Sequence, residues 1–194
     1  MNHRIALFSL AVVSTASLSA CIPLIAAGAA TGVAVAHDQR SAGAVIDDQA
    51  IELKAIGALK GETQLYSESH LNVTSYNGIV LVTGEAPTQE LRDRVTNIVR
   101  GIDKVRTVHN EVAIAAPSSL MARSSDTVLT GKVKARLIGE RGFDSSRVKV
   151  VSEGGVVYLM GIVTRNEAEV ATEIARTTDG VQRVVRLFEY AENQ

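Results

Sequence analysis

Aromatic residues are scarce in this chain, and none of them is tryptophan. They make up 4% of the 194 residues, which argues against a surface that holds sugars or nucleobases by stacking. Neither sign of charge dominates, since 20 lysines and arginines oppose 21 acids and the formal net charge is −1. We therefore expect no nucleic-acid partner, because nucleic-acid-binding proteins carry a basic patch or stripe.

Cysteine occurs once, at Cys21, so no intramolecular disulfide can form. It follows a short basic region, an apolar run and a stretch of small residues, which is the order of a secretory signal. The sequence Leu18-Ser19-Ala20-Cys21 resembles a lipobox, in which the cysteine thiol takes a diacylglycerol and the new N-terminal amine is acylated after cleavage. We predict a signal peptide at 1–20 and lipidation of Cys21. An ordinary signal peptide with an incidental cysteine is the alternative.

Residues 21–44 are predicted to form the lipidated N-terminus and an apolar tether. The part from Ile22 to Ala36 is rich in alanine and glycine and carries no charge. It is shorter than the roughly 20 apolar residues that a membrane-spanning helix needs. We interpret it as a linker along the lipid surface; a buried segment, or an oligomer contact through Gly28 and Gly32, is the alternative.

The chain contains an internal repeat. The stretch 70–84 matches the stretch 147–161, and after one deleted residue the match continues through the C-terminal part of both copies. The glycines that pair in this match are Gly78 with Gly155 and Gly84 with Gly161. Paired glycines and a row of apolar positions in register indicate a tandem duplication that makes two small domains.

Each copy has the same predicted order of elements. An alternating apolar run reaches Asn77-Gly78 or Gly154-Gly155, which supply the positive φ of a two-residue hairpin turn. A second strand, an amphipathic helix and a strand parallel to its neighbour follow. With the helix before the hairpin, each copy is predicted to be an αββαβ unit of the α+β class, in which a small three-stranded mixed sheet packs on two helices.

The first helix of each copy is predicted to begin at acidic residues, Asp47-Asp48 and Ser125-Asp126, because acids suit the positive end of a helix dipole. We therefore place the two domains at 45–115 and 124–191. The segment 116–123, with Pro117 and several serines, is predicted to be the linker between them.

These features together resemble the BON domain (bacterial osmoprotection and nodulation), present twice. The most specific parts are the glycine-bounded hairpin runs 77–84 and 154–161. Two such domains behind a lipoprotein signal are similar to the DolP family of outer-membrane lipoproteins. The resemblance implies an anchor in the outer membrane, a position facing the periplasm, contact with the inner leaflet of that membrane, and a role in envelope integrity.

No catalytic constellation is found in the sequence. The histidines are His3, His37, His70 and His109. No two of them have metal-ligand spacing, and no nucleophile motif or phosphate-binding loop occurs. We predict no enzymatic activity, no metal and no cofactor apart from the covalent lipid on Cys21.

The first helices of the two copies differ in charge, and this difference suggests the functional site. The first carries Asp47, Asp48 and Glu52, whereas the second carries Lys132, Lys134 and Arg136. We predict that the second helix binds anionic phospholipid, with these three cations at the headgroups and Val128 and Leu129 at the interfacial layer. The resemblance implies the same role for this helix. The alternative is that the basic residues only solvate its outer face.

Other functions are weighed beside lipid binding. The protein could be an adaptor that docks an envelope protein through an exposed edge strand or through Asp47, Asp48 and Glu52. A self-assembling module follows from the use of similar domains in secretin rings. RNA binding through the small sheet is disfavoured by export and by the neutral net charge.

Overall fold

A computed structural model of the protein describes residues 40–191. The predictions for the signal peptide, Cys21, the tether up to residue 39 and the tail 192–194 concern residues outside that range. Within it the chain forms two copies of one unit. In the described part of the chain no helix combines the length and the apolar character that a membrane span requires.

The first copy contains α1 (Ala42–Gly61), the short helix α2 (Thr63–Glu68), β1 (His70–Tyr76), β2 (Ile79–Ala86), α3 (Gln89–Arg100), β3 (Thr107–Asn110) and β4 (Ala113–Ile114). The second contains α4 (Leu120–Gly139), a 3₁₀ turn (Ser145–Arg147), β5 (Val148–Glu153), β6 (Val156–Val163), α5 (Arg165–Arg176) and β7 (Arg183–Tyr190). The predicted αββαβ order is confirmed. In the first copy the returning strand is interrupted and forms the two pieces β3 and β4.

The sheets have the predicted mixed pairing. β1 and β2 are antiparallel, and β3 and β4 both pair with β2 in parallel. In the second copy β5 and β6 are antiparallel, and β6 pairs with β7 in parallel. The middle strand of each sheet is therefore the second strand of the hairpin, and β1 and β5 are edge strands.

Glycines make both hairpins possible. Asn77 and Gly78 have φ of 53° and 74°, and Gly154 and Gly155 have φ of 56° and 76°, which is the left-handed backbone of a two-residue turn. Gly84 allows the backbones of the two strands to approach closely, because a Cβ there would lie 1.9 Å from the carbonyl oxygen of His70. Gly161 occupies the equivalent place in the second copy, where a Cβ would lie 2.2 Å from a backbone oxygen.

The first helix of each copy begins earlier than predicted. α1 begins at Ala42, where the Ser41 hydroxyl accepts a hydrogen bond from the amide of Ala44. α4 begins at Leu120 and is capped in the same way by Ser119. The predicted starts at Asp47 and Ser125 are wrong, because serine hydroxyls satisfy the free amides one and a half turns upstream. The helices therefore extend into the predicted tether and linker.

Each sheet is covered on one face by its own helices. In the first copy the buried faces of α1, α3 and β2 form a core that includes Ile51, Ala55, Val82 and Val95. In the second copy the equivalent core includes Leu129, Val133, Leu159 and Ala171. The apolar spacing in the sequence predicts both helix faces.

The opposite faces of the two sheets pack against each other. Tyr76 and Leu81 of the first copy form a buried cluster with Tyr158, Met160 and Leu187 of the second. Side-chain hydrogen bonds and ion pairs surround this cluster: Asn77 and Arg106 with Glu189, Asn72 and Thr83 with Glu153, and Glu52 with Lys149. The middle strands β2 and β6 are thus buried on both faces, and the two copies share an apolar interface.

Candidate functional site: the outer face of α4

The side of α4 that faces the core includes one residue that the sequence analysis predicts to contact lipid. Leu129 is 6% exposed and packs with Val133 and Leu137 in the core of the second copy. Its predicted role at the membrane is therefore wrong. The physical reason is that Leu129 lies on the same side of the helix as the other core residues, one and two turns away.

The opposite side of α4 exposes large apolar side chains. Val128 is 58% exposed, and Leu120, Met121 and Ile138 are 80%, 81% and 71% exposed. At 3.6 residues per turn these four positions fall on the half of the helix that faces away from the core. They form a stripe, here called the outer stripe, along a helix of 20 residues, or about 30 Å.

Two lysines lie on either side of the outer stripe. Lys132 and Lys134 are both exposed, and their positions are about 200° apart around the helix. Among residues 40–191 neither forms an ion pair. An apolar stripe between two unpaired cations is the arrangement of a helix that lies in the headgroup layer of an anionic membrane.

Arg136 makes a structural contact that the sequence does not reveal. One terminal nitrogen of its guanidinium donates hydrogen bonds to the carbonyl oxygen of Ile174 and to the hydroxyl of Thr178, both at 2.9 Å. These contacts fix the side chain to the C-terminal end of α5, so it joins two helices of the core. Arg136 is nevertheless exposed and keeps its charge, so its contact with lipid headgroups stays a prediction.

Sequence reasoning missed three of the four exposed residues. Leu120 and Met121 fall in the segment predicted to be the linker, and Ile138 follows the core residue Leu137. One signal was available: apolar residues recur at 121, 128 and 138 on the side opposite to the stripe of Leu129, Val133 and Leu137. A helix with two apolar sides shows weak amphipathic periodicity, which hides the outer one.

In the first copy the acidic residues make internal contacts. Asp47 pairs with Lys104 at 2.7 Å, and Glu52 pairs with Lys149 of the second copy at 3.0 Å. Intramolecular partners thus already engage these carboxylates, and the alternative in which the acids dock an envelope protein stays a prediction. Asp48 is also only 3% exposed.

Asp48 closes the hairpin turn of its own copy. One carboxylate oxygen accepts hydrogen bonds from the Gly78 amide at 2.8 Å and the Ser75 hydroxyl at 2.6 Å. The other accepts from the Asn77 amide at 2.6 Å and the Arg40 guanidinium at 2.7 Å. Burial favours the neutral carboxyl, but these four hydrogen bonds outweigh it and hold the pKa of Asp48 below its usual value of 3.8.

Asp126 is the equivalent residue in the second copy. Its two carboxylate oxygens accept from the amides of Gly154 and Gly155, each at 2.9 Å. Both acids thus lie in the middle of a helix and bind a turn about 30 residues downstream in the chain, so their predicted place at helix starts is wrong. The sequence shows an aspartate near the predicted start of each helix, but it does not show the turn that each one binds, because that contact is tertiary.

The histidines that the structure describes lie in strands of the first copy. His70 starts β1, and His109 is half-buried in β3. Across residues 40–191, no three His, Cys, Asp or Glu side chains come together in a way that could hold a metal ion.

Comparisons with known proteins agree with the duplicated fold. The BON domain family matches residues 47–116 and again residues 125–192. The chain is 34% identical over 179 residues to outer membrane lipoprotein DolP of Haemophilus influenzae, covering 92% of this chain and 93% of that protein.

Two further relatives share most of the chain. A 21 kDa hemolysin of Actinobacillus pleuropneumoniae is 32% identical over 155 residues, 80% of each protein. Osmotically-inducible protein Y of Escherichia coli is 28% identical over 156 residues, covering 79% of this chain and 77% of that one. The similarity therefore includes both copies of the domain.

Proposed function

This chain belongs to the DolP family of dual BON-domain proteins, and from that premise we propose that it is a lipid-anchored envelope protein whose second domain binds anionic phospholipid through α4. The observation that carries the proposal is the outer stripe. Its four large apolar side chains are exposed, and Lys132 and Lys134 flank them on either side of the helix surface. Each lysine near an anionic surface contributes about 1 kcal/mol, and the apolar side chains add the burial of their surface in the interfacial layer.

The anchor in this proposal is the acylated Cys21 at the outer membrane, with the two domains facing the periplasm. The similarity to an outer membrane lipoprotein over 92% of the chain supports this location. The lipid anchor holds the chain near the membrane, and α4 then brings the second domain onto anionic lipid at that surface. The role requires binding and no catalysis, and we place it in the maintenance of envelope integrity.

Vesicle co-sedimentation tests the lipid-binding part. The mature chain 21–194 is made with Cys21→Ser, so that no acyl chain contributes to binding. We expect it to bind anionic vesicles but not zwitterionic vesicles. The bound fraction should fall as the salt concentration rises. In Lys132→Glu/Lys134→Glu the affinity should decrease by about 30-fold or more, the equivalent of about 2 kcal/mol.

A matched control comes from the first domain. Lys54→Glu/Lys60→Glu makes the same charge change on α1, and its affinity for vesicles should stay near that of the parent chain. Val128→Ser tests the apolar contribution without changing charge and should weaken binding by a smaller factor. Equal binding by the parent chain and the α4 double variant would contradict the proposal.

A separate measurement tests the anchor. Mass spectrometry of the N-terminal peptide from the protein purified out of membranes should show Cys21 as the first residue, carrying the mass of its acyl groups. A chain that begins elsewhere, or an unmodified Cys21, would contradict lipidation while leaving the α4 proposal intact.

A further inference from the structure

The outer side of α1 exposes two large apolar side chains. Ile46 is 66% exposed and Leu53 is 72% exposed. They are about two helical turns apart, so they lie on the same side of the helix. The core residues of α1, which include Ile51 and Ala55, lie on the opposite side. Apolar side chains grouped on the exposed face of a helix indicate a surface that another molecule covers.

Small residues alternate with the two large ones. Ala50 lies between Ile46 and Leu53 on the same side of the helix, and Gly57 follows one turn after Leu53. A Cβ at Gly57 would meet no atom within 4 Å, so this glycine leaves an open notch in the helix surface. These four residues, here called the α1 face, run large, small, large, small along the helix.

This order of sizes is complementary to itself in an antiparallel pair. When two α1 helices meet about a two-fold axis midway along the α1 face, Ile46 lies level with Gly57 of the second molecule. Leu53 then lies level with Ala50 of the second molecule, and the same contacts form in the reverse direction. A parallel pair would place each large side chain against its own copy and leave gaps at the small residues.

The charges beside the α1 face favour the same orientation. Asp47 and Lys54 are about two turns apart and therefore lie on one flank of the helix. In an antiparallel pair this flank lies beside the same flank of the second molecule, and Lys54 comes within about 3 Å of the level of Asp47 of that molecule. Lys54 is exposed and forms no ion pair within residues 40–191.

The flank that Lys54 would meet has an excess of acid. Asp47 pairs with Lys104 at 2.7 Å. The pKa of Lys104 is raised, first by this hydrogen bond and further by the charge of Asp103. Two carboxylates beside one ammonium leave a negative charge in this group of three, which Lys54 of the second molecule can neutralise.

We propose that α1 is a self-association surface, on which two molecules of this chain pair through antiparallel α1 helices. A single pair of short helices belongs to the class of small interfaces that bury less than about 1,200 Å². The dimer is therefore weak and reversible, with a Kd of the order of 100 μM for the free chain. Molecules confined to one membrane surface meet at a higher effective concentration, which populates the same pair.

This inference does not depend on lipid binding by α4. The second copy does not repeat the α1 face: when Asp48 is aligned with Asp126, Ile46 corresponds to Ser124 and Leu53 to Gly131. The outer stripe of α4 is formed by other positions on another helix. The two first helices therefore have different surfaces, one for a second molecule and one for lipid.

Sedimentation equilibrium of the mature chain with Cys21→Ser, from about 20 μM to about 1 mM, measures the association on both sides of the expected Kd. Leu53→Ser should weaken the dimer by about 10-fold or more, because an apolar contact is lost in both directions. Gly57→Leu should do the same by filling the notch that receives Ile46, while open space around Gly57 preserves the fold. Gly131→Leu adds the same side chain at an open glycine of α4 and should associate like the parent chain.

Charge reversal tests the orientation. Lys54→Glu places an acid against the acidic flank of the second molecule and should weaken association by about 10-fold. Asp47→Lys/Lys54→Glu exchanges the two signs and should restore it. Arg141→Glu makes the same charge change at an exposed position of the second copy and should have no effect.

A monomeric mass over the whole concentration range would overturn the proposal, and so would a dimer that Leu53→Ser and Gly57→Leu leave unchanged. A double charge variant that associates no better than Lys54→Glu would overturn the antiparallel arrangement. If the parent chain stays monomeric and Leu53→Ser loses binding to anionic vesicles, the α1 face contacts lipid and not a second molecule. Normal self-association by Lys132→Glu/Lys134→Glu would support a surface that is independent of the lipid site.

Discussion

The helices α1 and α4 occupy equivalent places in the two copies but differ in how they use their charged residues. α1 has three acids and two lysines, whereas α4 has four cations and one acid. All three acids of α1 have intramolecular partners, namely Lys104, the turn at residues 77–78 and Lys149. On α4 the lysines at 132 and 134 have no such partner within the described range, and on α1 the exposed Lys54 and Lys60 form no ion pair there either. The two helices therefore differ in their acids, which are engaged on α1, and share exposed lysines.

The difference shows that the net charge of a helix does not identify a binding surface. In the sequence the acidic α1 is the alternative docking surface, and in the structure its carboxylates have intramolecular partners. On α4, Arg136 likewise binds the end of α5, while its two lysines remain exposed. What matters is whether a partner lies within reach, and that depends on the packing of the two copies.

The largest effect is expected where the equivalent acids differ most. Asp48→Ala removes four hydrogen bonds and leaves Arg40 without this carboxylate, so the free energy of unfolding should fall by about 3–5 kcal/mol. Asp126→Ala removes two backbone hydrogen bonds and should cost about 2 kcal/mol. Urea denaturation of both variants measures the difference. Equal losses would mean that Ser75 and Arg40 contribute nothing to the first turn.

Acid should reveal the same difference through the pKa of Asp48. This pKa is lower in the folded chain than its usual value of 3.8, so the carboxylate stabilises the fold above that value. The stabilisation is lost as pH falls through the lower, folded-state pKa. Asp48→Asn should therefore be less stable at pH 7 and should lose less stability below about pH 4 than the parent chain. The measurement is the urea midpoint of each chain as a function of pH. Parallel curves for Asp48→Asn and the parent chain would contradict the prediction.

The smallest expected effect tests whether the outer faces of α1 and α4 are both exposed to solvent. A Cβ added at Gly57 or at Gly131 would meet no atom within 4 Å. Gly57→Ala and Gly131→Ala should each raise the free energy of unfolding by about 0.5–1 kcal/mol through helix propensity. A loss of stability in only one of them would show that its helix face is covered in solution. Thermal or urea unfolding is sufficient for this comparison.

Much of the fold follows from local patterns. The paired glycines at 78 and 155 predict both hairpins because a two-residue turn needs a left-handed backbone there. The capping box of Thr164 and Glu167 marks the start of α5, as observed. The starts of α1 and α4 were misplaced because an acid within a helix resembles an acid at its beginning until its partner is known.

The duplication, the order of the elements and the hairpin turns were determined by the sequence alone, since they depend on residue spacing and on backbone preferences within a few residues. Tertiary structure decided the rest. The contact between the two sheets, the binding of each turn by a distant aspartate, the burial of Leu129 and the hydrogen bonds from Arg136 to α5 all depend on residues far apart in the chain. Such contacts form only when the elements pack, because hydrogen bonds and apolar contacts act over a few ångströms in space, whatever the separation along the chain.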